Sequence, residues 1–232
     1  MRVILESTED VAAGIRTYWF RPEQKPGYRA GQFTELFLPH RPHDGRGQKR
    51  WFSLSSSPAE ELLAVTTKFA PKKGSSFKAC LDGLQPGAEL HLAYPMGDFV
   101  LPKDTKRPLL FVGGGIGVTP FRSMIRTLQL ENKRRDITLL YAANHPKELA
   151  FLDVFRIGYV RFVPIVREKN TSWNGLTGTL DAAKIMEYCR DDALIYLSGP
   201  APMVKALRAG LRALGVPARR IVSDYFPGYS SV

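Results

Sequence analysis

The hydrophobic rhythm of the chain changes near residue 105. Before that point apolar and polar positions alternate over short runs, the period of a strand with one buried face. Val3–Val11, Ile15–Pro22, Gln32–Leu38, Arg50–Ser55, Leu62–Phe69 and Glu89–Tyr94 read as six such strands. Turn residues separate them, as at Lys25-Pro26-Gly27 and Pro86-Gly87. Antiparallel strands at this spacing predict a small closed barrel. One helix interrupts them: in SSFKACLDGL, Phe77, Cys80, Leu81 and Leu84 share the face of a helix. Ser75 or Ser76 is placed to cap its start, and Gly83 or Gly87 to end it.

The stretch Pro102–Pro108 (PKDTKRP) marks the change, and we set the domains at 1–104 and 105–232. Beyond it, buried apolar runs alternate with helical ones. Leu109–Val112, Ile137–Ala142, Phe162–Val166 and Leu194–Leu197 read as strands, with Ile221–Tyr225 as a fifth. Helical stretches lie near Thr119–Glu131, Glu148–Phe155, Asp181–Arg190 and Ala201–Leu214. Such alternation predicts a parallel sheet with helices on both faces, and a ligand beyond the carboxyl ends of its strands. His40–Lys49 (HRPHDGRGQK) reads as a flexible loop.

Composition narrows the class without choosing a chemistry. The 232 residues are 44% hydrophobic and 24% charged, ordinary for a globular protein. The N-terminus MRVILESTED lacks an apolar signal core, and no apolar run reaches a membrane span, so the expected location is the cytoplasm, without membrane insertion. Cys80 and Cys189 are the only cysteines, too few for a disulfide framework, a zinc site or a four-cysteine iron–sulfur cluster. The four histidines lack ligand spacing, so no metal is expected. Of the net charge of +11, residues 1–104 carry +2 (14 basic, 12 acidic) and residues 105–232 carry +9 (19 basic, 10 acidic). Phosphorylated cofactors, an acidic protein partner, nucleic acid or a merely solvated basic face each fit that asymmetry.

Three stretches carry candidate chemistry. In RWFSLS, alternation puts Arg50, Phe52 and Leu54 on one side and Trp51, Ser53 and Ser55 on the other. A cation, a flat ring and a hydroxyl within four residues suit a phosphorylated ring system, although an amphipathic strand with an exposed arginine needs no ligand. Gly74-Ser75-Ser76, after Lys72-Lys73, offers free N–H groups and hydroxyls to an anion, or simply a capped structural helix. In FVGGGIGVTPFRSM, an apolar strand enters glycines and leaves into a helix, the usual setting for a phosphate. Gly115-x-Gly117-x-x-Pro120 departs from the common dinucleotide fingerprint by putting proline at the third glycine.

Taken in order, these motifs resemble the ferredoxin–NADP reductase superfamily of flavin oxidoreductases, over nearly the whole chain. GYRAGQF is similar to its P-G-Q-F turn, RWFSLSSSP to its flavin motif R-x-[YF]-[ST]-x-x-S, and VTTKF to the strand that follows. GSSFKACLDGLQPG resembles the pyrophosphate-binding helix, YPMGDFVLP the last barrel strand, and GGGIGVTP the nicotinamide-domain G-x-G-x-x-P. YLSGPAPM resembles the second nucleotide motif [CS]-G-P-x-x-M, and SDYFPGY the C-terminal acidic–aromatic segment.

The resemblance implies a flavin-binding six-stranded antiparallel barrel followed by an α/β nicotinamide-nucleotide-binding domain, with hydride passing between the two bound rings. It implies that Arg50 holds flavin phosphate, that Phe52 packs on the isoalloxazine, and that Ser53 hydrogen-bonds near N5. Thr66, Thr67 and Lys68 would contact the flavin, and Gly74, Ser75 and Ser76 its pyrophosphate. Gly115, Gly117, Thr119 and Pro120 would receive the coenzyme, as would Ser198, Gly199, Pro200 and Met203, with Ser198 beside the reacting carbons. Phe226 or Tyr225 would cover the flavin, so that Ser53, Ser198 and Phe226 form the expected catalytic set. Phe52 and Ser198 replace a commoner tyrosine and a frequent cysteine. Arg167 keeps the arginine, without the serine, that grips a 2′-phosphate.

That arginine favours NADPH over NADH, and the pyrophosphate helix favours FAD over FMN. The implied enzyme is an NAD(P)H-dependent flavin oxidoreductase serving a small acidic carrier such as ferredoxin or flavodoxin. An electron-transfer subunit of a larger redox complex is the alternative. A nucleic-acid-binding protein is the third reading, disfavoured because basic and aromatic residues do not interleave.

Overall fold

A computed structural model describes residues 1–42, 44–69, 74–167 and 173–224. The first sheet contains β1 (Arg2–Ala12), β2 (Ile15–Pro22), β3 (Phe33–Phe37), β4 (Lys49–Ser53), β5 (Leu63–Lys68) and β6 (Glu89–Leu92). Its order is β4-β3-β6-β1-β2-β5, and every pairing is antiparallel. Leu54 bridges Val65 and the Ser55 N–H donates to Ala64 O, so the two sheet ends meet and the barrel closes. Closure thus falls on the residues that directly follow β4. Val3, Leu5, Tyr18, Phe20, Leu36 and Leu63 fill the interior.

Helix α1 (Ser76–Asp82) covers one end of the barrel. Ser75 is its N-cap, accepting from Lys78 N, and Gly83 is its C-cap. Phe77 and Leu81, the apolar stripe of this helix, are buried in the barrel cluster.

The second sheet is wholly parallel, in the order β10-β9-β8-β7-β11-β12. Its strands are β7 (Leu109–Gly114), β8 (Ile137–Ala143), β9 (Val160–Val166), β10 (Leu176–Thr177), β11 (Leu194–Ser198) and β12 (Ile221–Ser223). Strand alternation sorts the core into two layers. Leu109, Phe111, Ile137, Leu139, Tyr141 and Tyr196 face α2 (Thr119–Leu130) and α3 (Leu152–Phe155). Leu110, Val112, Leu140, Ile195 and Leu197 face α4 (Ala182–Glu187) and α5 (Ala201–Ala213).

The order reverses between β7 and β11, which opens a crevice beyond their carboxyl ends. Ile15, Ala30 and Phe99 join the first of these layers, so the barrel and the parallel sheet share one apolar cluster.

Three expectations need correction. The helix expected over Glu148–Phe155 is only Leu152–Phe155, preceded by a 3₁₀ turn at Pro146–Glu148. The buried Tyr141 hydroxyl donates to Glu148 O and accepts from Ala150 N, taking groups that a helix ladder needs. Phe151 then turns left-handed at φ 60° before the helix begins. Second, the short edge strand β10 was not anticipated, because two residues carry no periodicity. Third, the last strand ends at Ser223, and Tyr225 lies outside the described residues. Of the loop expected over 40–49, Lys49 opens β4 and the other described residues are neither helix nor strand; Asp44 accepts from the start of α1, and Gln48 donates to His40 O.

Candidate active site

The crevice of the parallel sheet opens against the carboxyl end of β4. Ser53 ends that barrel strand and is buried, as is Ser198 at the end of β11. Both hydroxyls donate to Asp224 Oδ2, at 3.3 Å from Ser53 and 3.2 Å from Ser198. The Asp224 N–H donates to Leu197 O, which extends the register of β12 by one residue and fixes the carboxylate. Burial pushes the Asp224 carboxyl up to about 6, and the hydrogen bonds from Ser198 and Ser53 only partly offset that rise. The arrangement is a titratable carboxyl gripped by two hydroxyl arms, each arm from a different domain.

Asp224 was not among the expected site residues. Its only signal was its place in the acidic–aromatic segment SDYFPGY, where the aromatics drew the role.

The glycine turn meets the second nucleotide motif closely. Gly115 has φ +53° and is half-buried, with open space where a Cβ would stand. Gly117 is different: a Cβ there would lie 2.5 Å from Gly199 Cα, which puts two backbones in contact. The turn continues as a 3₁₀ segment, Gly115–Val118, into α2, with Pro120 in its first turn. Thr119 Oγ1 donates to Ile116 O and steadies the turn. Pro200 is the N-cap of α5, and Met203 packs over Gly114, where a Cβ would meet its sulfur at 2.4 Å. Arg167 follows β9 with its side chain exposed and its N–H donating to Ala143 O.

The expected flavin residues form a second group at the other end of β4. The Arg50 guanidinium lies 5.0 Å over the Phe77 ring and donates from Nη1 to Arg46 O, Gly47 O and Lys49 O. Its Nη2 is buried without a hydrogen-bond partner. Phe52 is half-buried beside Phe77, with ring centroids 6.2 Å apart.

Lys78 Nζ donates to Lys68 O, and burial, then the charges of Arg50 and Lys68, lower its pKa. The Arg50 guanidinium over Phe77, with its unused buried donor, and the nearby Lys78 ammonium fit an anionic group such as a cofactor phosphate. The start of α1 is engaged from within: Ser76 N donates to Asp44 Oδ2, and Ser76 Oγ bonds His40 Nε2. Arg46, then the Ser76 N–H, hold the Asp44 carboxyl far below the usual range.

Thr66, Thr67 and Lys68 lie on β5, and Gly74 just before α1. Thr66 Oγ1 bonds both Thr17 Oγ1 and Ser55 Oγ at 2.8 Å, inside the barrel wall. Thr67 is buried, and Lys68 Nζ pairs with Glu148 across the domain interface at 2.7 Å. Gly74 is exposed ahead of the Ser75 cap. Tyr225 and Phe226, with His43, Lys72 and Lys73, lie outside the described residues. No group of side chains suited to a metal occurs among the described residues, and no described helix is long and apolar enough to cross a membrane.

Residues 111–209 match the oxidoreductase NAD-binding domain family, which places the glycine turn, Arg167 and the Ser198–Met203 motif within one nucleotide-binding module. The chain belongs to the ferredoxin-reductase-like oxidoreductases. It is similar to a flavohemoprotein of Deinococcus radiodurans, 31% identical over 87% of this chain and 52% of the relative. It also resembles the ferredoxin reductase component of 3-ketosteroid-9-alpha-monooxygenase from Mycobacterium tuberculosis, 30% identical over 90% of this chain and 58% of the relative. The fold matches the FAD/NAD-binding domain of a nitric oxide dioxygenase from Vibrio cholerae, with TM-score 0.81 at 22% identity, covering 97% and 98% of the two chains. This ferredoxin-reductase-like chain spans 52% to 59% of the length of the flavohemoproteins it matches.

Proposed function

We propose that the protein is an NAD(P)H-dependent flavin reductase that binds FAD and passes electrons to a small acidic carrier such as ferredoxin or flavodoxin. The observation that carries this reading is the meeting of Ser53 and Ser198 on the Asp224 carboxylate, where a barrel strand faces the nucleotide crevice. Bound flavin would supply the redox chemistry, accepting a hydride from the reduced coenzyme.

Arg50 and Lys78 neutralise the cofactor phosphates, with Phe52 and Phe77 beside them as apolar support. Gly115 and Gly117 bring backbone against the coenzyme, and Arg167 meets a 2′-phosphate, which favours NADPH. Asp224 accepts from Ser53 Oγ and Ser198 Oγ and sets a carboxylate that titrates at about 6 beside them, able to take up or return a proton where charge changes. In the tail, Phe226 or Tyr225 covers the flavin and yields to the coenzyme ring.

A second reading rests on the share of its relatives that the chain spans. The M. tuberculosis relative is a reductase component by name, so the chain also suits the electron-transfer part of a larger oxygenase system. Anaerobic reduction by NADPH and NADH tests the first step common to both readings. Bleaching of the bound flavin's visible absorbance is expected with at least one coenzyme. Arg167→Ala should raise the KM for NADPH and leave NADH near parental. A protein that purifies without flavin and takes none up sinks the proposal. A panel of carriers and oxygenase components then separates the two readings by the acceptor reduced.

A further inference from the structure

Helix α2 performs two tasks on adjacent turns. Its first residue, Thr119, closes the glycine turn of the nucleotide crevice. One turn later Arg122, 8% exposed, reaches across to the barrel. Its Nη1 donates to Glu60 Oε2 at 2.6 Å and to Ser55 O at 2.8 Å, and its Nη2 donates to Glu60 Oε1 at 3.0 Å. The guanidinium lies 5.3 Å from the Trp19 ring and 5.8 Å from that of Phe151.

Ser123 Oγ donates to Ser56 O at 2.5 Å, and Thr127 Oγ1 bonds Ser57 Oγ at 2.8 Å. Glu60 also accepts from Ser57 N at 2.6 Å. Ser55, Ser56 and Ser57 are thus each bonded to α2, starting two residues after Ser53.

Holding the domains together does not require this set. Phe99, Ile15 and Ala30 already bind the barrel to the parallel sheet through apolar packing. A buried ion pair adds little net stability over apolar groups of the same size, whereas its forked geometry fixes distance and angle. The fork here ties the helix that follows the glycine turn to the segment that follows Ser53.

We propose that Arg122, with Glu60, is a positioning residue that sets the separation and tilt of the coenzyme ring over the flavin. Loss of the fork lets α2 shift against the Ser55–Ser57 segment while Phe99 keeps the domains joined. A misplacement near 1 Å slows a transfer by about 100-fold without much change in binding. This inference rests on the reductase reading above.

Stopped-flow anaerobic reduction of the flavin-loaded protein by its preferred coenzyme tests it, using the parent, Arg122→Gln, Arg122→Lys and Ser123→Ala. In Arg122→Gln the limiting rate of flavin reduction should fall about 10- to 100-fold. The coenzyme dissociation constant should stay within about threefold, and the long-wavelength charge-transfer absorbance should weaken. Arg122→Lys should recover part of the rate, because it keeps the charge and loses only the fork. A parental limiting rate in a flavin-loaded Arg122→Gln overturns the proposal, even if that variant melts earlier. Should Arg122→Gln fail to fold, Ser123→Ala decides: a severalfold slower limiting rate supports positioning, and a parental rate overturns it. A flavin-loaded parent that neither coenzyme reduces brings down the reductase reading and this inference together.

Discussion

Asp224 is an acid at the meeting of the two domains. Its carboxyl is raised to about 6 by burial, above the usual 3.8, so the folded protein holds this proton more tightly than the unfolded chain. From pH 4 to 6 the folded state therefore binds more protons, and this group's contribution to stability falls as pH rises through that window. Asp224→Asn should gain about 1–3 kcal/mol over the parent at pH 7.5, with the difference closing below about pH 4. Chemical denaturation at both pH values measures it; an Asn variant less stable than the parent at neutral pH would show that the carboxylate is welcomed there. The same variant should slow flavin reduction, because it can hold the two serines but not a titratable proton. At the opposite end of β4, Arg50→Ala should weaken flavin binding by about 1–3 kcal/mol, the loss of a charge-assisted contact. Equilibrium titration of the flavin-free protein checks this, and unchanged affinity would place the phosphate elsewhere.

At the scale of elements, the glycine turn separates two reasons for one residue type. Gly115 needs its left-handed backbone, and a side chain there meets open space, so Gly115→Ala should cost about 1–2 kcal/mol. Gly117 needs absence of volume: its Cβ would meet the Gly199 backbone, which cannot swing aside as a side chain can. Gly117→Ala should therefore destabilise by more, about 2–4 kcal/mol, and loosen the contact between the two nucleotide motifs. Thermal melts of the two variants rank them, and an equal or reversed order would refute this account.

These elements also show what periodicity conveys. The barrel strands and the two layers of the parallel sheet were legible because alternation reports burial directly. The failed helix after Pro146 was not, since the Tyr141 hydroxyl that diverts its backbone comes from the preceding strand, and periodicity does not report such a bond. The candidate site divides in the same way. Ser53 and Ser198 stand in local motifs, but their shared partner Asp224 is 171 positions from Ser53, and no local pattern announces that pairing. Likewise Lys68 reads as a flavin contact from its strand, while its ion pair with Glu148 follows from how the domains meet.

For the whole molecule, the shared apolar cluster decides how it unfolds. Phe99 lies in edge contact with Tyr196 at 5.2 Å and near Phe121 at 5.8 Å, so the segment joining the sheets is a core element. The Lys68–Glu148 and Arg122–Glu60 pairs add polar ties across the same boundary. Unfolding should then be one cooperative transition, with flavin release, tryptophan emission and far-ultraviolet dichroism changing together. Two separated transitions would mean that the barrel and the parallel sheet stand alone. Expressed by itself, residues 1–104 would bare Ile15, Ala30 and Phe99 and should aggregate.

The convergence on Asp224 also bears on how the protein is born. A ribosome delivers Ser53 early, Ser198 much later, and the acid that both hydroxyls grip later still. Barrel and parallel sheet can collapse as their segments emerge, in the usual order of synthesis. The pocket gains its acid only after β12 has left the exit tunnel. Translation that stops just beyond β11 therefore releases most of both sheets with a site that has its two arms and nothing for them to hold.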